Sequence, residues 1–154
     1  MNNDELTYKD SDGSLVVIMQ AVHKLLRSYR QLESDSTEAA GVLIGERRGR
    51  HIVICDMSEP GKGDIRNRFG VNRKGLHHQA KVDLVFERSD GAQQYLGEWH
   101  THPENLPSPS SIDENSWRLN LANHKPMILL IVGREGLWIA KQNGNVISPL
   151  TMME

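Results

Sequence analysis

The residues best suited to chemistry lie in Gly97-Glu98-Trp99-His100-Thr101-His102-Pro103 and in Ser108-Pro109-Ser110-Ser111-Ile112-Asp113. On an extended strand, alternate residues point to the same side. His100 and His102 therefore face one way and Thr101 the other. Two imidazoles so placed bind one metal ion with little rearrangement. Asp113 falls in the first turn of a helix that the proline-containing loop could return to the strand end. Two histidines and a carboxylate, with one position left for water, form a recurrent ligand set for hydrolytic zinc. Such a metal polarises a carbonyl and lowers the pKa of its water to about 7. A nearby carboxylate then moves the proton, and a hydroxyl donates to the developing oxyanion. Ser110, three residues before Asp113, shares its side of the helix.

Each part has a plainer reading. A lone His-x-His is weak, and Ser110-x-x-Asp113 also has the form of a capping box. Ser108 with Pro109 at the first helical position is a competing cap. By strand parity Glu98 shares the face of His100 and His102, which makes it a local rival for the proton-transfer base. Two histidines and a carboxylate also suit non-haem Fe(II).

His100-Thr101-His102-Pro103, the seven residues between His102 and Ser110, and Asp113 together resemble the JAMM signature of the JAB/MPN metalloproteases. Thr37-Glu38-Ala39-Ala40-Gly41-Val42-Leu43-Ile44-Gly45 resembles the upstream element that carries that family's essential glutamate. The resemblance implies that His100, His102 and Asp113 bind Zn2+, that Glu38 acts as general acid/base and that Ser110 stabilises the oxyanion. Spacing alone does not select Glu38. The implied fold is an α/β domain with a curved mixed β-sheet flanked by helices, a cytidine deaminase-like architecture. The chain is similar to the bacterial JAB branch, whose members accompany E1- and E2-like enzymes. Within that branch it resembles the deconjugases of CBASS antiphage operons. The implied substrate is a protein with an extended C-terminal tail, a cGAS-like nucleotidyltransferase or a ubiquitin-like protein. The implied reaction is hydrolysis of the amide that follows the tail. Processing of another ubiquitin-like or sulfur-carrier protein, or a non-catalytic MPN scaffold, are the alternatives.

Composition sets the frame. With 154 residues, 38% hydrophobic and 25% charged, the chain fits one soluble domain over residues 1–154. A net charge of -2 lacks the basic excess usual for nucleic-acid binding. The basic groups Glu46-Arg47-Arg48-Gly49-Arg50 and Arg66-Asn67-Arg68 read as a solvated turn and a loop, with a role in substrate docking open. Cys55 is the only cysteine and sits in the apolar run Ile52–Cys55, so it reads as a buried structural thiol. Any metal must be held by His and carboxylate groups. No signal peptide is expected from Met1-Asn2-Asn3-Asp4-Glu5. No apolar run is long enough to span a bilayer, and the cytoplasm is the expected location.

The elements that must position the site follow from periodicity. Residues up to about Ser14 read as loose. Leu15–Ile18 reads as a strand and Met19 to about Leu32 as a helix. Ala39–Glu46 and His51–Met57 read as a hairpin. Ser58–Asp64 is a loop and Phe69–Val71 a short strand. A helix is expected from Lys74 to about Glu87, with Leu76, Ala80, Leu84 and Val85 on its buried face. Tyr95–Thr101 reads as an extended, buried strand. A helix from Ser110 to about Ala122 follows, then strands at Met127–Val132, Leu137–Lys141 and Val146–Leu150. His77-His78 reads as a polar helix face rather than a second site. Trp99, Trp117 and Trp138 read as core.

Overall fold

The computed structural model describes residues 4–153. The part of the leader expectation that rests on residues 1–3 lies outside them. The elements in order are β1 (Leu6–Lys9), β2 (Leu15–Ile18), α1 (Gln20–Ser28), β3 (Ala40–Arg48), β4 (His51–Met57), β5 (Ile65–Asn67), β6 (Gly70–Asn72), α2 (His77–Arg88), β7 (Gln94–Thr101), α3 (Ser111–Asn120), β8 (Met127–Val132), β9 (Leu137–Asn143), β10 (Val146–Pro149) and β11 (Thr151–Met152). Nine strands form one mixed sheet in the order β10-β9-β8-β7-β3-β4-β2-β1-β11, and β5 and β6 form a separate hairpin. β2 runs parallel to β4, and β7 parallel to β8. The other neighbours are antiparallel.

β8 is apolar throughout because both of its faces are covered. Ile128, Leu130 and Val132 join Trp99 and the α1 residues Val22 and Leu26 in one core. Met127, Leu129 and Ile131 join Trp117 and Leu121 in a second core, under α3. Helices thus lie on both faces, as expected for an α/β sheet. The sheet also curls back on itself. Leu150 alone separates β10, on the outer edge of β9, from β11, on the outer edge of β1. Lys141 of β9 reaches the β1–β2 turn, where its Nζ donates to Ser14 Oγ at 2.8 Å and pairs with Asp10 at 3.1 Å.

Four local expectations need correction. Residues before Ser14 are not loose throughout, because β1 pairs with both β2 and β11. α1 ends at Ser28, short of Leu32. The chain then turns so that the Gln31 amide, fully buried, donates to the Ser36 and Arg68 carbonyls. α2 buries His78 and Val85, with Val82 packed beside them, while Leu76 and Leu84 are exposed. Spacing of i, i+4 and i+7 holds, but the face is not the one with the most leucine. Cys55 is half-buried rather than buried; burial still raises its thiol pKa, which disfavours a nucleophilic role. No described helix is long and apolar enough to cross a membrane.

Candidate metal centre

β7 lies between β3 and β8, and its C-terminal end carries His100. Gly97 permits this placement, since a Cβ there would strike the Ile128 backbone of β8. His102 lies just beyond the strand, held by its N–H donating to the Val132 carbonyl at 3.0 Å. Parity keeps both imidazoles on the α3 face, where the His100 ring lies 5.9 Å from Trp117.

α3 begins at an N-cap, Ser110, rather than at the rival Ser108. The capping box is complete. The Asp113 N–H donates to Ser110 Oγ at 3.0 Å, and the Ser110 N–H donates to Asp113 Oδ2 at 2.9 Å. The cap locks the Asp113 rotamer, so the plain and the chemical readings of this pair coexist. The Ser110 hydroxyl accepts one bond here and keeps its proton to donate.

The three side chains converge. His100 Nε2 and His102 Nε2 are 3.1 Å apart, Asp113 Oδ1 is 3.4 Å from the first, and Asp113 Oδ2 is 3.1 Å from the second. Tetrahedral zinc with ligands at about 2.0–2.1 Å sets its ligand atoms roughly 3.3 Å apart. The observed edges match that spacing, and the donor set is the one expected of such a site. Burial alone would raise the Asp113 carboxyl, but bonds and charge from His100 and His102, with the Ser110 N–H, hold it far below the usual range. Burial disfavours the His102 cation, yet bonds to Asp113 and Glu104, with the charges of Asp113 and Glu38, push its pKa up to about 9. The cluster therefore draws positive charge to one point.

Glu38 precedes β3 and is buried. The β3–β7 register explains its place: Ala40 pairs with His100, so two residues earlier on β3 corresponds to two later on β7. Bonds between Ala39 and Thr101 extend the match beyond the ladder, at 2.9 and 3.0 Å. Glu38 lines the same cleft of ≈ 1090 Å³ as His100, His102, Ser110 and Asp113. Burial, opposed by His102 and reinforced by Asp113, pushes its carboxyl up to about 7. Its main chain is fixed by the β5–β6 hairpin, since its N–H donates to Asn67 O at 2.7 Å and its carbonyl accepts from Arg66 Nε at 2.7 Å. Glu98 borders the cleft too, but forms an ion pair with Arg73. Sequence reasoning missed Glu104, whose Oε1 lies 2.9 Å from His102 Nδ1.

A second group, Asp64, His77 and His78, could hold a cation by its residue types. Both ring nitrogens of His78, and the Asp64 carboxylate, already have partners within the protein. Ser58 Oγ accepts from the Val42 N–H at 2.8 Å, which leaves its O–H to donate to His78 Nδ1 at 2.6 Å. His78 Nε2–H then donates to Asp64 at 3.0 Å. His78 is thus a buried core histidine, not part of a polar face. His51 Nδ1 accepts from the Leu15 N–H and His23 Nδ1 bonds Asp4 O, while the buried His23 Nε2 has no hydrogen-bond partner among the described residues.

The model of the prokaryotic homologues of the JAB domain matches residues 20–145. The chain belongs to the prokaryotic JAB family. A Vibrio cholerae protein described as a CD-NTase/cGAS isopeptidase is 53% identical to this JAB chain over 154 residues, 100% of this chain and 99% of the relative. A Pseudomonas aeruginosa protein of the same description is 32% identical, covering 92% and 94%. The solution structure of a Desulfitobacterium hafniense protein superposes with a TM-score of 0.53 at 18% identity, covering 82% of each chain, a likeness of fold alone. With this membership and full-length identity, the JAB chain is a hydrolase.

Proposed function

We propose that this chain is a zinc-dependent isopeptidase that hydrolyses the amide joining the C-terminus of a cGAS-like nucleotidyltransferase to a lysine. It would thereby reverse that conjugation in bacterial antiphage defence, as one domain over residues 1–154 acting in the cytoplasm. The convergence of His100, His102 and Asp113 beside buried Glu38 carries the chemical part of this reading. The description of full-length relatives as CD-NTase/cGAS isopeptidases supports the substrate.

His100 and His102 would hold zinc through Nε2, and Asp113 through a carboxylate oxygen. When bound, zinc supplies Lewis acidity toward water and the scissile carbonyl. Glu38 accepts the proton of the attacking water and delivers it to the lysine nitrogen as the C–N bond breaks. A carboxyl pKa near 7 suits both transfers. The Ser110 hydroxyl donates to the carbonyl oxygen as charge develops there. The products are a free C-terminal carboxylate and a free lysine amine.

The test is incubation of the zinc-loaded protein with such a conjugate. Release of both partners intact, abolished by chelator and restored by zinc, is the expected result. A conjugate left whole, alongside cleavage of a ubiquitin-like or sulfur-carrier tail, would transfer the substrate assignment. Stoichiometric iron in protein purified without added metal, with oxygen-dependent turnover, would reject the hydrolytic zinc reading.

A further inference from the structure

His102 faces a carboxylate on each side. Its Nε2 lies 3.1 Å from Asp113 Oδ2, and its Nδ1 lies 2.9 Å from Glu104 Oε1. A neutral imidazole has one N–H, which goes to whichever nitrogen finds the stronger acceptor. A cation at the inner side engages the Asp113 charge and requires a lone pair on Nε2. Only Glu104 then remains to take the proton side of the ring.

We infer that Glu104 is a positioning residue for the metal: it accepts the Nδ1–H of His102 and so presents the Nε2 lone pair to the site. The inference rests on reading His102 as a metal ligand. Partners of this kind fix the tautomer and orientation of a ligating histidine. Glu104 is built for the task despite its exposure. Its carbonyl accepts from the Arg134 N–H at 2.7 Å, and the next carbonyl, of Asn105, accepts from the Glu135 and Gly136 N–H groups at 2.9 and 3.2 Å. The β8–β9 turn therefore clamps the main chain under Glu104. Its Oε1 is further tethered by the Ser108 N–H at 3.5 Å. The side chain is 47% exposed, so its charge acts weakly through water, and the directional bond is what matters.

The test is zinc affinity, measured by competition with a chromogenic chelator, in wild type, Glu104→Ala and Glu104→Gln. Loss of the acceptor in Glu104→Ala weakens zinc binding ~10–100-fold. Glu104→Gln keeps an acceptor oxygen and stays within about threefold of wild type. Metal-free protein should still unfold cooperatively in both variants, so that a loss of zinc affinity is not a loss of folding. Zinc affinity unchanged in Glu104→Ala would overturn the role of Glu104 alone. Equal losses in both variants would show that charge, not the accepted bond, acts, and would also overturn it. No zinc uptake by wild type would overturn the metal reading itself.

Discussion

Glu38 and Glu98 border one cleft, but their surroundings give them different chemistry. Glu98 is engaged in an ion pair with the Arg73 guanidinium. Glu38 is buried with its pKa raised to about 7, so it can both take and give a proton. Glu38→Gln should therefore cut turnover ~10²–10⁴-fold, a usual range for loss of a general base, whereas Glu98→Gln should retain most activity. The opposite ranking in steady-state assays would move the base to Glu98. A folded pKa above the ordinary carboxyl value of 4.5 means that Glu38 adds stability below pH 4.5 and loses it as pH rises through about 7. Metal-free Glu38→Gln should then melt above wild type at pH 8, which a purely structural glutamate would not do. His102 has the same sign. Its contribution is complete below pH 6.5 and lost as pH rises through about 9. Metal-free protein should thus lose melting temperature between those values, and zinc should remove that slope, because the bound ring is neutral. A flat profile without metal would contradict the convergence of charge on His102. His100, His102 and Asp113 were legible because strand parity and a helix cap are local. Glu38 was not accessible from spacing, since its place depends on a β3–β7 register that includes a bulge between Leu43 and Ile44. Glu104 depends on a loop pinned by residues 134–136, which no local pattern encodes.

α3 joins folding to chemistry at its first turn, where Ser110 caps the helix and lines the cleft. Ser110→Ala removes both contributions. It should cost about 1 kcal/mol of stability and slow turnover ~10²–10³-fold, with zinc retained. Ser110→Thr keeps a capping hydroxyl and should recover most of both. Thermal melts and kcat on the same preparations check this. A stability loss with unchanged kcat would leave Ser110 as a cap only. The strands of the core were readable because continuous apolar runs mark strands buried on two faces, as in β8. α2 was misread because Leu76, Leu84 and Phe86 are exposed, while a buried histidine sits where an apolar residue was expected. The pairing of β1 was missed because Asp10, Asp12 and Gly13 form a polar turn that hides the short Leu6–Lys9 strand beside it.

In the whole molecule, one buried cation links the two end regions of the curled sheet. Lys141 and Asp10 are 5% and 11% exposed and belong to opposite regions of the strand order. Truncating one partner of a buried pair strands the other charge. Lys141→Ala should therefore destabilise by about 3 kcal/mol or more, lowering Tm by ~6–12 °C. Replacing both by apolar residues of similar size should recover much of that loss. Denaturant melts decide it; an unaffected Lys141→Ala would mean the pair contributes nothing to closure. Residues 146–152 complete the same architecture by gripping β9 with one half and β1 with the other. They work like the buckle of a belt. Until they are in place, two raw margins of backbone stand open, each able to grasp a stray strand. A synthetic peptide of that sequence, added to a chain cut before it, is thus the natural piece for split-protein reassembly.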